Sequence, residues 1–233
     1  MNSNEIELSI IIPSYLEEEN LRIILPRIKS ELSSLPFTFE VLVIDTIQNL
    51  DNTEKVCAEN NISHINREID NFYGDAVRTG IKHASGKYTI FMDADGSHPP
   101  EFIHKLLEYK GNFDVVIASR YIEGGSTDNF KMLILMSLIV NILYSKVLGI
   151  KCKDVSNSYK LYLTSDLKDL HLKCANFDIV EEILYKLTKS KNDPRIKEVP
   201  FGFKKRMFGQ TKRNLFLFTI SYMITIVRLR FDI

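Results

Sequence analysis

The sequence predicts an α/β fold: a mostly parallel central sheet with helices packed on it, followed by C-terminal apolar or amphipathic helices. Three observations predict it. Short apolar runs alternate with helix-period segments over the first 125 or so residues, the pattern of βαβ units. The runs are apolar throughout rather than alternating, as strands covered on both faces require. Each run ends in polar side chains, where open α/β sheets carry their ligand-binding groups. A chain of 233 residues that is 45% hydrophobic is long and apolar enough to bury a full core.

Ser9 to Ile12 reads as the first strand, and Leu21, Ile24, Leu25, Ile28 and Leu32 as the buried face of the first helix. Glu40 to Ile44 is a second strand ending at Asp45. A short helix over 51–59 and a short strand over 62–66 follow. Ala76, Val77, Ile81 and Ala84 mark another helix face. Tyr88 to Met92 is a strong strand ending at Asp93. Pro99-Pro100 opens a helix that turns Phe102, Ile103, Leu106 and Leu107 inward. Asp114 to Ala118 is the next strand, followed by Ser119-Arg120-Tyr121. Beyond residue 125 come long apolar helices, a short strand within 196–203 and a basic turn. The polar groups at four strand ends converge on one edge of such a sheet.

Lys+Arg and Asp+Glu both number 30, and this balance argues against a general nucleic-acid binder. Cys57, Cys152 and Cys174 lack metal or disulfide spacing and fit a reducing compartment. The opening MNSNEIELSIIIP reads as a buried strand rather than a leader. Met132–Ser145 and Asn214–Val227 carry no charge over 14 residues each, short of the roughly 18–20 needed to cross a bilayer. They read either as buried helices or as helices at a membrane surface.

Asp93-Ala94-Asp95 places two carboxylates at a strand end, hard oxygen donors suited to Mg²⁺ or Mn²⁺ bridging to a diphosphate. His98, before Pro99-Pro100, reads as a turn residue more readily than as a ligand. Asp45 either accepts hydrogen bonds from a base or ribose or caps a turn. Tyr15 and Glu17 offer a stacking ring and an acceptor, or simply lead into a helix whose first turn favours acids. Gly74-Asp75 with Arg78 is either a phosphate-binding helix start or a cap. Lys204 to Arg213 holds five basic residues and no acid around Gly209; Arg206 or Lys212 there suits a phosphate, and the cluster suits anionic lipid.

The segments IIIPSYLEEENL (10–21), VLVID (41–45), FYGDAVRTGIKHASGKYTIFMDADGSHPPEFI (72–103), DVVIASRYIEGG (114–125), DVSNSYKLY (154–162) and EVPFGFKKRMFGQTK (198–212) together resemble family 2 glycosyltransferases, within them the dolichol-phosphate mannose synthase-like group. The resemblance implies a GT-A (Rossmann-like) fold in a single domain over 1–233. Residues up to about 125 would bind the nucleotide-sugar, and the rest the acceptor. It implies inverting transfer from a GDP- or UDP-sugar to a polyprenyl phosphate, with Mg²⁺ or Mn²⁺ at Asp93 and Asp95. Pro13, Tyr15, Glu17 and Asp45 would hold the nucleoside, with Gly74, Asp75 and Arg78 also on the donor side. Asp95, Arg120 and Lys212 would be catalytic. Ser137, Lys160 and Arg206 would meet the acceptor phosphate. The protein would sit peripherally on the cytoplasmic face of a membrane and bind no nucleic acid.

A phosphate monoester, with a second pKa near ~6, is already a dianionic nucleophile at neutral pH and needs cations rather than a base. A sugar-hydroxyl acceptor is the alternative, and would call for a carboxylate base at Asp154, Glu181 or Glu182. A non-catalytic nucleotide-sugar-binding scaffold is a third reading. The chain departs from the family pattern at Asp45-Thr46-Ile47-Gln48, where Asp-Asp-Gly-Ser is usual. It departs again at Asn157-Ser158-Tyr159-Lys160, where Lys160 replaces an Arg and loses its bidentate geometry.

Overall fold

The computed structural model describes residues 5–209 and 215–231, with backbone only for 215–220. The first half builds as the sequence predicts: β1 (Leu8–Pro13), α1 (Glu18–Ser33), β2 (Phe39–Asp45), α2 (Thr53–Glu59), β3 (Ser63–Asn66), α3 (Tyr73–His83) and β4 (Tyr88–Phe91). A 3₁₀ turn (Pro100–Phe102) leads into α4 (Ile103–Leu107), and β5 (Val115–Ser119) follows. The second half adds β6 (Ser126–Thr127), α5 (Lys131–Leu148), β7 (Lys160–Leu163), α6 (Thr164–Lys168), α7 (Ile179–Ser190), β8 (Ile196–Pro200), β9 (Gly202–Phe203) and α8 (Leu215–Phe231).

Among the described residues, seven strands form one sheet in the order β3-β2-β1-β4-β7-β5-β8. All neighbours are parallel except β7, which runs antiparallel to both β4 and β5. This strand is absent from the sequence reading, and it makes the sheet mixed at its centre. It also means that the second half of the chain contributes to the same sheet as the first. β6 and β9 form a separate parallel pair, which carries the chain from β8 toward the basic segment.

Two apolar layers flank the sheet. One packs Ile10, Ile12, Val43, Ile90 and Val116 against α1 and α4; the other packs Ile11, Ile44, Phe91 and Ile117 against α3, α5 and α7. Alternate residues of a strand enter opposite layers, which is why these strands read as continuous apolar runs. The β1–β4 pairing and the β1–β2 register from Leu8↔Phe39 to Pro13↔Ile44 bring Pro13, Asp45 and Asp93 to one edge.

The apolar stretch after residue 131 is longer as a helix than its uncharged core. α5 has 18 residues, long and apolar enough to cross a membrane by length and composition. Its Asn141, Tyr144 and Leu148 are buried against the domain, and the Tyr144 hydroxyl donates to the Tyr222 carbonyl of α8 at 3.0 Å. Met132, Leu135, Ile139 and Ile142 are about half exposed or more, as are Met223, Ile224 and Val227 of α8. Each helix thus has one face against the domain and one exposed apolar face among its described side chains, so neither is a fully buried core helix.

Candidate active site

The DxD turn is held from below. His98 is fully buried, stacked on Tyr159 with centroids 4.6 Å apart. Its Nδ1 accepts the Asp93 backbone N–H at 3.0 Å, so its Nε2 carries the proton and donates to Asn157 Oδ1 at 3.1 Å. Burial keeps this imidazole neutral by pulling its pKa down against the fields of Asp93 and Asp95. With both ring nitrogens engaged, His98 is a structural turn residue rather than a metal ligand. Asp93 Oδ1 accepts the Ser158 hydroxyl at 3.0 Å, and Asp95 Oδ1 accepts the Ser97 N–H at 3.0 Å. Burial would raise the Asp95 pKa, but hydrogen bonding from Ser97 and the field of Arg206 outweigh it and hold the group ionised.

A strap from β9 to Gly209 lies over this turn. Lys204 N–H donates to the Ser97 carbonyl at 3.1 Å, and Met207 N–H to the Asp95 carbonyl at 2.9 Å. Gly96 has φ +84°, and a Cβ there would sit 2.7 Å from the Met207 side chain, so only glycine fits beneath the strap. Arg206 pairs with Glu17 at 2.6 Å and approaches Asp95 at 3.5 Å. Asn20 completes the contact, donating to Glu17 at 2.6 Å and accepting the Phe208 N–H at 3.0 Å. The structure therefore places Arg206 beside Glu17 and the DxD turn, residues expected on the donor side. This corrects its expected placement with the acceptor phosphate.

Residues expected on the acceptor side, with Arg120, form a second cluster. Arg120, at the end of β5, donates to Asp154 through Nε at 2.8 Å and Nη2 at 2.7 Å, and its own N–H meets the same carboxylate at 2.8 Å. Burial alone would lower the Arg120 pKa, but Asp154 overrides it and holds the guanidinium charged. Arg120 Nη2 also donates to Ser156 Oγ at 2.9 Å, which lies 3.4 Å from Ser137 Oγ on α5. Asn141 of α5 accepts the Ser156 N–H at 2.9 Å. Ser137 and Arg120 thus share one site, at the root of the exposed apolar helix.

Other expected residues lie elsewhere. Lys160 is fully buried in β7, with its ammonium donating to the carbonyls of Val155 (2.9 Å) and Asn157. It does not reach the acceptor side, because a buried cation so bonded has no path to solvent. The start of α3 is likewise closed to a phosphate. Gly74 N–H donates to the Ala175 carbonyl at 2.7 Å, and a Gly74 Cβ would sit 2.2 Å from the Cys174 carbonyl. Asp75 Oδ2 collects the N–H groups of Glu68, Ile69 and Asp70 at 2.8–3.2 Å, capping the preceding loop rather than its own helix. Arg78 donates to the Cys174 carbonyl at 2.7 Å. These three residues fasten the 174–175 segment and the β3–α3 loop, which corrects the donor-binding expectation. Lys212 lies outside the described residues.

Pro13 closes β1 beside Asp45, whose carboxylate is buried and meets His64 Nε2 at 3.2 Å. Tyr15 is 38% exposed at the same edge. The sequence reading passed over Arg67, a buried cation just beyond β3 that donates to the carbonyls of Ser14, Asn71 and Phe72. It also passed over Ser156, Asn157 and Ser158 as site residues. The one available signal was their position in the DVSNSYKLY segment.

A family profile described as glycosyl transferase family 2 matches residues 9–170. The chain is 33% identical over 215 residues to a dolichol-phosphate mannosyltransferase from Pyrococcus furiosus, covering 88% of this chain and 59% of that protein. It is 30% identical over 215 residues to an undecaprenyl-phosphate mannosyltransferase from Micrococcus luteus, covering 88% of this chain and 86% of that protein. The chain thus spans about three fifths of the archaeal relative's length. A glucosyl-3-phosphoglycerate synthase from Mycobacterium tuberculosis, solved with Mn²⁺, UDP and glucosyl-3-phosphoglycerate, superposes with a TM-score of 0.72 at 16% identity. That match covers 97% of this chain and 80% of that one, and it shows a shared GT-A fold. With the profile spanning strands β1 to β7 and the DxD turn, the chain belongs to glycosyl transferase family 2.

Proposed function

We propose that the protein transfers a sugar from a nucleoside-diphosphate sugar, GDP- or UDP-linked, to a polyprenyl phosphate, with inversion, at a membrane surface. The single observation that carries the acceptor class is the fate of the carboxylates a hydroxyl acceptor would need. Asp154 is fully buried with its oxygens on Arg120. Glu181 is sealed in the core, and Glu182 is engaged by Lys186 and by the N–H groups of Lys173 and Cys174. None of the three is placed as a general base. Arg120, Ser156 and Ser137 instead offer a charged and hydroxylic cradle, which suits an acceptor already ionised.

Asp93 and Asp95 supply two carboxylates at a sheet edge, partly exposed and with Asp95 held ionised. Among the described residues no group of three or more His, Cys, Asp or Glu gathers there. This fits Mg²⁺ or Mn²⁺, which take one or two carboxylates and complete their shell with substrate phosphates and water. Bound there, the metal would neutralise charge on the departing diphosphate. In this reading Asp95 and Arg120 are the catalytic pair among the described residues. The nucleoside lies against Pro13, Tyr15 and the end of β2 at Asp45, with Glu17 and Arg206 at the diphosphate end. Lys212 belongs to the same basic segment.

The exposed apolar faces of α5 and α8, flanked by Lys131, Lys204 and Lys205, suit peripheral docking on an anionic bilayer on the cytoplasmic side. Three unpaired cysteines fit that compartment. Names of the relatives that act on dolichol and undecaprenyl phosphates support the lipid class. The test replaces polyprenyl phosphate with the matching polyprenol. The phosphorylated lipid is glycosylated and the alcohol is not; glycosylation of the alcohol would overturn the acceptor assignment.

A further inference from the structure

Residues 153–158 form a loop that hydrogen-bonds to both clusters. On the acceptor side Asp154 holds Arg120, and Ser156 contacts Arg120 and Ser137. On the donor side Ser158 donates to Asp93, and Asn157 receives His98, whose other nitrogen holds the Asp93 backbone. Asn157 also donates to the Ala118 carbonyl at 2.6 Å, fastening the loop to β5. From outside, Glu198 accepts the N–H groups of Lys153 and Asp154 at 2.9 and 3.0 Å. From inside, the carbonyls of Val155 and Asn157 converge on one cation, the Lys160 ammonium.

We infer that Lys160 is a positioning residue, and that by gripping these two carbonyls it fixes the loop and thereby couples the donor–metal and acceptor–phosphate halves of the site. The inference rests on the functional reading above for the labels donor and acceptor. The carbonyls of 155 and 157 flank Ser156, so their grip sets where Ser156 presents its hydroxyl to Arg120 and Ser137. The same grip sets the direction in which Asn157 and Ser158 leave toward His98 and Asp93. The Asp154 carboxylate and the two carbonyl dipoles help to keep a cation tolerable there. A lysine is enough for this task, because two carbonyls at one point need a cation with at least two N–H donors, which an ammonium supplies as an arginine would. Loss of bidentate geometry relative to the family's arginine is then no loss of function.

The test uses full-length protein and two titrations: Mn²⁺ with GDP or UDP, and a short-chain polyprenyl phosphate. Each is run on the wild type and on Lys160→Met, Lys160→Arg, Ser156→Ala and Ser158→Ala, with the folded fraction followed by circular dichroism. Ser156→Ala weakens the lipid phosphate alone, and Ser158→Ala weakens the metal–nucleotide alone. Lys160→Met weakens both by about tenfold or more, and Lys160→Arg restores both. A folded Lys160→Met that leaves either constant unchanged overturns the inference, as does a Lys160→Arg that restores neither. If Lys160→Met does not fold, Lys160→Gln is read in its place; failure of both to fold would make Lys160 a stability residue only, and would also overturn it. Wild-type protein that binds both ligands yet makes no lipid-linked product would defeat the functional reading while leaving the coupling measurable.

Discussion

Asp95, Arg120 and Glu181 are three ionisable side chains made partly or fully inaccessible for different reasons, and their substitutions separate accordingly. Asp95→Asn keeps an acceptor for the Ser97 N–H but halves the carboxylate charge at the turn; turnover falls at least about 100-fold with the fold intact by circular dichroism. Arg120→Ala strands the buried Asp154 carboxylate, so it costs about 3–5 kcal/mol in chemical denaturation besides abolishing activity. Glu181 is pushed up to about 8 by burial, partly offset by Lys160. Folding therefore favours its protonated form, and between its ordinary pKa of 4.5 and about 8 stability falls as pH rises. Glu181→Gln removes that slope, so its Tm drops less than the wild-type value between about pH 5 and about pH 8. The DxD carboxylates were legible because their meaning is local: a strand, its end, and a turn. Lys160 was not, since its charge suggested solvent or phosphate, and only the β4–β7–β5 pairing shows it sealed between strands.

Elements were legible where periodicity ran long enough to be counted. α1 and α3 carry regular buried faces, and β1, β2, β4 and β5 are unbroken apolar runs. β7 has four residues, begins with a lysine and pairs across a gap of more than 70 positions, Tyr88↔Leu163, so no local pattern announces it. The α3 start misled for a related reason. Gly74 looked like a phosphate turn, but it is glycine because the Cys174 carbonyl lies against it. α5 was ambiguous in sequence because an all-apolar helix suits a core or a membrane equally, and its exposed face rules out a fully buried core helix. The prediction belongs to the helix as a unit. Leu135→Glu with Ile139→Glu, both at exposed positions, leaves the fold intact and weakens flotation with anionic vesicles by at least about tenfold. Unchanged flotation would show that α5 is not the docking face.

Across the whole molecule, the sheet serves as a platform on which the two clusters proposed to serve donor and acceptor are set side by side. The parallel strands β1, β2 and β4 deliver Pro13, Asp45 and the DxD turn to the donor edge. The antiparallel β7, entering between β4 and β5, delivers the loop that ties this edge to Arg120 and to α5. The strap over Gly96 adds Arg206 and Glu17 from the two ends of the chain. The family, the succession of elements in the first half and the DxD turn at a strand end all follow from sequence. The joining of the two clusters follows only from the fold, because it is made of contacts between residues as far apart as Asp93 and Ser158. The most direct measurement is product formation by purified protein with GDP- and UDP-sugars, a short-chain polyprenyl phosphate, and Mg²⁺ or Mn²⁺ present or chelated. The account predicts a lipid-phosphate-linked sugar that forms only with the metal. Metal-independent transfer, or donor turnover that never labels the lipid phosphate, would contradict it.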